Sequence, residues 1–251
     1  MDTYEELVTA ATKAPFAGWD FRWLDGRLVG DPLPWDYPAL ARTLAAPGPI
    51  LDVDTGGGEI LAGIDPPSGS VATEAWEPNV AVAAARLTPL GARVVRTGPG
   101  ASLPFAARTF AAVLNRHAHL DAAETARVLA SGGRFLTQQV GSREGLEINA
   151  ALGVPPVTNP TSWTLDTAVD ALRAAGLRVI EAQESLVRQR VLDIGALVYH
   201  LRAVTWQVPG FTTSRFDTRL RLVDGIIRRA GHFVFHAHRF LVHAECDAAA
   251  P

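Results

Sequence analysis

The chain has 251 residues, of which 48% are hydrophobic and 20% are charged, a composition that supports a globular domain with a substantial core. Its net charge is −3 and no run of basic residues occurs, which argues against a protein that grips a nucleic-acid backbone. A single cysteine excludes an intrachain disulfide, and the absence of a leader-like or long apolar segment predicts a cytoplasmic protein with no membrane partner.

The amino-terminal segment predicts helices and an aromatic cap. Apolar residues at helical spacing predict one helix within residues 1–14 and a second at 38–44. Between them, residues 15–37 are rich in aromatic side chains and turns, which is typical of a segment that packs its rings on a larger body. We therefore expect residues 1–45 to form a helical and aromatic cap.

Strand and helix signals alternate through the centre of the chain. Short apolar runs predict strands at 50–53, 70–73, 93–96, 111–115 and 134–140. Periodic segments between them predict helices at 59–64, 79–87 and 122–129. Such alternation indicates βαβ units whose right-handed crossovers place helices on both faces of a parallel sheet. Residues 46–185 are therefore predicted to form an α/β core.

The last third of the chain is less regular. Its pattern predicts helices at 165–175, 194–206 and 216–230, and strands at 177–187 and 232–244. We expect residues 186–251 to supply a helical insertion and the last strand of a single domain that spans 1–251.

The most informative segment is 51–59, Leu-Asp-Val-Asp-Thr-Gly-Gly-Gly-Glu, in which a strand runs into three consecutive glycines before a helix. Glycine lets the main chain adopt positive φ angles and approach a ligand closely. Leu61 occupies the third glycine position of the dinucleotide fingerprint, and no Gly-Lys-Ser/Thr follows, so neither that fingerprint nor a P-loop is present. A plain surface turn is the alternative.

Glu74 ends the second predicted strand of the core, 16 positions after Gly58. A carboxylate at this place can accept both hydroxyls of a ribose, although a solvated surface acid is the alternative. The glycine loop and the strand-end acid together predict an adenosine-binding site.

These segments resemble the motifs of class I S-adenosylmethionine-dependent methyltransferases, in a bacterial branch of that family. Residues 51–59 resemble the first motif and 73–79 the acidic second motif, while 103–105 with 110–117 and 127–133 resemble the stretches around the fourth and fifth strands. The resemblance implies a Rossmann-like α/β fold, with a doubly wound, mostly parallel seven-stranded sheet and an antiparallel last strand. It also implies S-adenosyl-L-methionine as the cofactor.

The same resemblance implies roles for individual residues. Gly56 and Gly58 would pass close to the methionine part of the cofactor, and Asp52 would orient the loop or bind the amino group through water. Glu74 would hold the ribose, and Trp76 would flank the adenine.

Two departures from the family motifs keep a second interpretation open. Asp54 stands where the family usually has the first glycine, and it would either pair with the cofactor's ammonium or crowd the pocket. Pro99 replaces an acid that commonly contacts the adenine amino group. A non-catalytic protein of the same fold, with weakened cofactor binding, is therefore an alternative.

Candidate catalytic residues follow the fourth predicted strand of the core. Asn115 and His117 would lie at the same sheet edge as the glycine loop, and a histidine suits general-base chemistry near neutral pH. The alternative for His117 is a histidine that only packs at a strand end, and His119 is a weaker candidate. His236 and His238 would share one face of a strand, but no spacing completes a metal site, so no metal is predicted.

We therefore predict S-adenosylmethionine-dependent methyl transfer to a small-molecule acceptor. Within the enzymes, a ribosomal RNA methyltransferase is the alternative, which the acidic charge balance disfavours. Neither a nucleic acid nor a membrane is expected as a partner.

Overall fold

The structure is a computed structural model that describes residues 2–16, 21–44, 48–98, 100 and 102–247. Its helices are α1 (Tyr4–Lys13), α2 (Tyr37–Leu44), α3 (Glu59–Ala62), α4 (Glu77–Leu87), α5 (Ala122–Val128), α6 (Leu146–Leu152), α7 (Leu165–Ala174), α8 (Ile194–Ala203) and α9 (Thr213–Ala230). Its strands are β1 (Leu28–Gly30), β2 (Ile50–Val53), β3 (Val71–Glu74), β4 (Arg93–Arg96), β5 (Phe110–Arg116), β6 (Leu129–Val140), β7 (Leu177–Val191) and β8 (Phe233–Cys246). Pro99 lies outside the described residues.

The strands form one sheet in the order β1-β7-β8-β6-β5-β2-β3-β4. The pairs β3–β4, β2–β3, β2–β5 and β5–β6 are parallel, and β8 is antiparallel to β6. The chain runs outward from β2 through β3 to β4 and then returns to β5, so the strand order reverses between β2 and β5. The predicted doubly wound, mostly parallel sheet with an antiparallel last strand is confirmed.

Within the residues that the structure describes, the sheet has eight strands instead of the seven predicted. The additional strand, β1, has only three residues, and it pairs antiparallel with the end of β7 through Leu28↔Val191 and Gly30↔Gln189. Three residues are too few to show an alternating pattern, so only the tertiary partner defines this strand. The seven-residue helix α6 was not predicted either, because it spans fewer than two full turns.

Local signals explain where the helices of the core begin. Asp121 caps α5 by accepting the Glu124 N–H at 3.0 Å, and Thr164 begins α7 with a capping box. The helix α4 follows Trp76 and carries Pro78 in its first turn, where a proline removes no helical hydrogen bond. These helices flank the parallel strands and thus set the strand ends that carry the candidate site.

The described chain divides into two compact units. The first comprises the described parts of 1–33, 142–162 and 185–238, with a core around Tyr199 and α8. The second comprises those of 34–141, 163–184 and 239–251, with a core around the parallel strands. The predicted single-domain organisation, with boundaries after residues 45 and 185, stays a prediction.

No helix within the described ranges is both long enough and apolar enough to cross a lipid bilayer.

Candidate functional site

A narrow cleft of about 40 Å³, partly open to solvent, lies at the carboxyl ends of β2, β3, β4 and β5 in the second unit. Residues that end or follow these strands line it, among them Asp54, Thr73, Thr97, Leu103, Asn115 and His119. This is the edge at which open parallel sheets bind ligands, beside the point where the strand order reverses.

The glycine segment forms a tight bend between β2 and α3. Gly56 and Gly58 have φ angles of 64° and 81°, which are in the left-handed region that favours glycine. The Gly58 N–H donates to the Thr55 carbonyl oxygen at 3.1 Å. A Cβ atom on Gly58 would stand 2.9 Å from Leu87 Cγ in α4, so the close approach of that helix also requires glycine.

Asp54 adopts the left-handed conformation at the position where the family usually has glycine, with φ 48°. Its N–H donates to Thr73 Oγ1 at 3.1 Å, and its carboxylate accepts the Ala75 N–H. Burial raises the pKa of Asp54, while the Ala75 N–H and the charge of His119 oppose that rise. The Asp54 side chain therefore forms part of the cleft wall.

The Glu74 carboxylate is buried, with 4% of the residue exposed. Its Oε2 accepts the Gly56 N–H at 2.8 Å, and its Oε1 accepts the Trp76 N–H at 2.7 Å. Burial raises the pKa of Glu74, and the two main-chain N–H groups oppose that rise. Glu74 thus binds the glycine bend directly and does not line the cleft in this structure.

Asp52 holds the same bend from the end of β2. Its Oδ2 accepts the Thr55 hydroxyl, and the residue is buried. Burial raises the pKa of Asp52 to about 7, and the Thr55 hydroxyl and the Arg116 charge act in the opposite direction. Trp76, by contrast, is 42% exposed at the start of α4 and does not line the cleft.

Asn115 joins the ends of β5 and β6. Its Oδ1 accepts hydrogen bonds from Gln139 Nε2 at 2.8 Å and Thr137 Oγ1 at 3.3 Å. Its Nδ2 donates to the His119 carbonyl oxygen at 3.0 Å. This buried side chain lines the cleft and at the same time determines the path of the chain after β5.

His117 has a strained main chain, with φ 65°, and its N–H donates to the Gln138 carbonyl oxygen at 2.7 Å. Its ring Nε2 lies 2.8 Å from Gln138 Nε2, and Gln138 Oε1 accepts the Trp35 indole N–H at 2.8 Å. Burial, then Arg239 and Arg116, lower the pKa of His117 well below its usual range. The residue as a whole is exposed, and the two arginines shift the pKa in the same direction as burial.

The loop that forms another wall of the cleft is fastened to α5. Arg127 donates to the carbonyl oxygens of Leu103 at 2.9 Å and Phe105 at 2.7 Å, and Glu124 accepts the Leu103 N–H at 2.8 Å. Arg127 and Glu124 also form an ion pair, which lowers the pKa of Glu124.

The late histidines have protein partners in the first unit. His236 Nδ1 lies 2.6 Å from Glu147 Oε1, and His238 Nδ1 accepts the Arg143 N–H at 3.1 Å. Across the part of the chain that the structure describes, no three His, Cys, Asp or Glu side chains are grouped to hold a metal ion.

The polar residues that hold the site were not predicted from the sequence; they are chiefly Thr55, Thr73, Trp35, Gln138 and Gln139. The sequence does indicate Gln138 and Gln139, because residues 137–139 are three consecutive polar residues near the end of an apolar strand. A strand that is buried on both faces carries such residues only when they are hydrogen-bonded.

The sheet order and the flanking helices match a Rossmann-like methyltransferase fold. A candidate methyltransferase from Bacillus halodurans aligns with a TM-score of 0.61 at 18% identity, over 84% of this chain and 99% of that chain. YcgJ from Bacillus subtilis gives 0.60 at 17% identity, over 85% and 99%. The [4+2]-cyclase SpnF gives 0.52 at 16% identity, over 98% and 93%.

Neither a protein-family model nor a curated protein matches the sequence. The solved structures therefore establish the fold of the chain, and its reaction must be argued from its own residues.

The residues at this sheet edge suit the cofactor that the fold family implies. The bend leaves the main chain without side chains at Gly56 and Gly58. Asp52, Asp54 and Glu74 adjoin it, and none of them forms an ion pair with a described lysine or arginine. The carboxylates of Asp54 and Glu74 complement a ligand that carries an ammonium and a sulfonium group.

Proposed function

We propose that the protein is an S-adenosylmethionine-dependent methyltransferase that acts on a small-molecule acceptor. The observation that carries this proposal is the bend of two positive-φ glycines, which is bound by the strand-end acid Glu74. This bend directly follows Asp54, which lines the cleft at the switch point of the sheet. The shared fold of the two Bacillus proteins supports it.

S-adenosylmethionine supplies, when bound, an electrophilic methyl group on a positively charged sulfur. Gly56 and Gly58 would allow its methionine part to approach the bare main chain, and Asp52 would keep the bend in place through the Thr55 hydroxyl. Glu74 would accept the ribose hydroxyls with the lone pairs that its two main-chain bonds leave free.

Asp54 and Trp76 would complete the cofactor site. The Asp54 carboxylate lines the cleft, so it would lie beside the cofactor's ammonium group. The exposed Trp76 indole would offer a flat apolar face to the adenine once the ring turns toward the cleft.

The acceptor side is assigned to the segment after β5. Methyl transfer requires an acceptor atom in line with the methyl group, and proton removal only where that atom carries a proton. Asn115 and His117 are the catalytic candidates, because Asn115 lines the cleft and His117 follows it at the same strand end. His119, which lines the cleft near Asp54, is the third candidate.

A small molecule is favoured over ribosomal RNA as the acceptor. Asp54, Asp121 and Glu124 line the cleft, and the whole chain has a net charge of −3. A polyanionic substrate would be repelled by this arrangement unless arginines elsewhere compensated for it.

A non-catalytic protein of the same fold is the second candidate. Two observations favour it, because Glu74 already accepts two main-chain N–H groups and Asp54 occupies the position of a family glycine. The cyclase SpnF shares the fold, and its name describes a reaction other than methyl transfer.

Titration calorimetry with S-adenosylmethionine and S-adenosylhomocysteine separates the two candidates. We expect saturable binding to the unaltered protein and an affinity about 10- to 100-fold lower for Glu74→Ala, which loses hydrogen bonds to a charged group. The matched control is Glu77→Ala, an exposed acid whose ion pair with Arg96 lies on the surface. Its affinity should equal that of the unaltered protein.

Two results would contradict the proposal. No heat of binding at about millimolar cofactor, a concentration that detects even weak sites, would favour the non-catalytic protein. Equal affinity of Glu74→Ala and Glu77→Ala would remove Glu74 from the ribose role.

A further inference from the structure

Trp35, Gln138 and His117 form a hydrogen-bonded chain at the ends of β5 and β6. The Trp35 Nε1 atom lies 2.8 Å from Gln138 Oε1, and Gln138 Nε2 lies 2.8 Å from His117 Nε2. Trp35 and Gln138 are buried, with 9% and 1% of their surfaces exposed, whereas His117 is exposed. Two buried polar side chains therefore lead to the imidazole of a residue that is exposed as a whole.

The chemistry of the three groups determines the direction of both hydrogen bonds. An indole N–H can only donate, so the amide atom that faces Trp35 must be the oxygen of Gln138. The amide NH₂ group then faces His117, and this group can only donate. The His117 Nε2 atom must accept, which places the ring proton on Nδ1. If the imidazole were charged, its Nε2–H group would face the amide NH₂ group of Gln138, and two hydrogen-bond donors would oppose each other.

The charges around the ring agree with a neutral histidine. Burial lowers the pKa of His117, and the charges of Arg239 and Arg116 lower it further. Other titratable groups adjoin Arg116: the Tyr37 ring is centred 5.9 Å from its guanidinium, and the Asp52 carboxylate interacts with its charge. None of these places a carboxylate against His117.

The main chain supports the same arrangement. His117 holds its left-handed φ of 65° while its N–H donates to the carbonyl oxygen of Gln138, the residue whose side chain contacts the ring. This conformation is unfavourable for a non-glycine residue, so the surrounding contacts must hold it in place. The His117 Nδ1 atom forms no hydrogen bond with any residue in the described ranges, so its hydrogen-bonding capacity is unused there.

We propose that Trp35 and Gln138 are positioning residues that hold His117 as a neutral imidazole with its proton on Nδ1. In this state His117 can donate a hydrogen bond to the methyl acceptor, whereas its basic nitrogen is engaged and cannot remove a proton. The hydrogen bond from His117 to the methyl acceptor rests on the proposed function. It predicts an acceptor that presents an unprotonated oxygen or nitrogen to His117.

Long-range ¹H–¹⁵N correlation spectra of the ligand-free, histidine-labelled protein test the tautomer directly. We expect His117, assigned by comparison with His117→Ala, to stay neutral and protonated on Nδ1 from about pH 5 to about pH 8. In Gln138→Glu a carboxylate faces Nε2, so we expect a proton on Nε2 and a rise in the pKa of His117 of at least about one unit. Trp35→Phe frees the amide to rotate, and a mixture of tautomers is expected.

Trp206→Phe is the matched control, because Trp206 is 54% exposed and lies outside this chain of hydrogen bonds. Its His117 signals should equal those of the unaltered protein. Should Gln138→Glu fail to fold, Trp35→Phe alone decides, since it keeps an aromatic ring in place and adds no charge.

A His117 ring in the unaltered protein that carries its proton on Nε2, or that titrates near the usual histidine pKa, overturns the proposal. An unchanged tautomer in both Gln138→Glu and Trp35→Phe also overturns it. These spectra need no cofactor, so they are independent of the calorimetry that tests the proposed function.

Discussion

Two non-glycine residues with left-handed main chains stand at the carboxyl ends of neighbouring strands. Asp54 follows β2 with φ 48°, and His117 follows β5 with φ 65°. Each conformation costs about 1 to 2 kcal/mol, and each N–H group is held by a hydrogen bond to an adjoining strand, from Asp54 to Thr73 and from His117 to Gln138. Contacts with the adjoining strands thus hold an unfavourable main-chain conformation on both sides of the switch point.

Asp52 should make the stability of the protein depend on pH. Its pKa is raised by burial to about 7 in the folded state, and it is close to 4 in an unfolded chain. Between these values the folded state binds the additional proton, so the stability contributed by this group is present below about pH 4 and is lost as the pH rises to about 7. Relative to Asp52→Asn, the unaltered protein should lose up to about 4 kcal/mol over this window.

Urea denaturation of the unaltered protein and of Asp52→Asn at several pH values checks this expectation. Asparagine keeps an oxygen that can accept the Thr55 hydroxyl, so the comparison isolates the charge. Two stability curves that run parallel from pH 4 to pH 7 would show that Asp52 is not protonated in the folded state.

At the scale of elements, the contact between the glycine bend and α4 sets the geometry of the site. Gly58 and Gly91 share positive φ angles of 81° and 78°, but only Gly58 has a neighbour, Leu87 Cγ, within 2.9 Å of an added Cβ. We expect Gly91→Ala to destabilise the protein by about 1 kcal/mol through its main chain alone. Gly58→Ala should cost at least about 1 kcal/mol more, because it also displaces a buried leucine.

Denaturant unfolding of the two variants measures this difference, and Gly91→Ala serves as the control for left-handed strain. Equal free energies of unfolding would mean that the bend can move away from α4. Gly58→Ala should also weaken cofactor binding in calorimetry, whereas Gly91→Ala should not.

The predicted elements are defined by local sequence patterns, whereas the missed ones depend on tertiary contacts or on a single backbone conformation. The strands β2 to β6 and the helices between them carry their own pattern, since apolar runs and helical periodicity act over a few neighbouring residues. The strand β1 exists only because β7 offers it a partner, and α6 begins after Gly145, whose left-handed conformation no periodicity indicates. The start of β6 at Leu129 was also missed, because the Gly132-Gly133 pair inside the strand is typical of a turn.

At the scale of the whole molecule, the charge distribution leads to a prediction about RNA. With a net charge of −3 and one lysine in the chain, we expect no saturable binding of a short RNA stem-loop at about 10 μM protein in about 50 mM salt. Fluorescence anisotropy of a labelled stem-loop measures this binding. Micromolar affinity that weakens steeply as salt is added would favour the ribosomal RNA alternative.

The sequence by itself determined the parallel α/β core, the glycine bend and the acid at the end of the second core strand. Each of these features depends on residues that are close together in the chain. The tertiary structure alone decided that Glu74 binds the bend and not the open cleft, and that the ring of His117 faces an amide. The deciding hydrogen bond, from Trp35 to Gln138, joins residues 103 positions apart. No local pattern encodes such a contact, since it forms only when separate elements pack together.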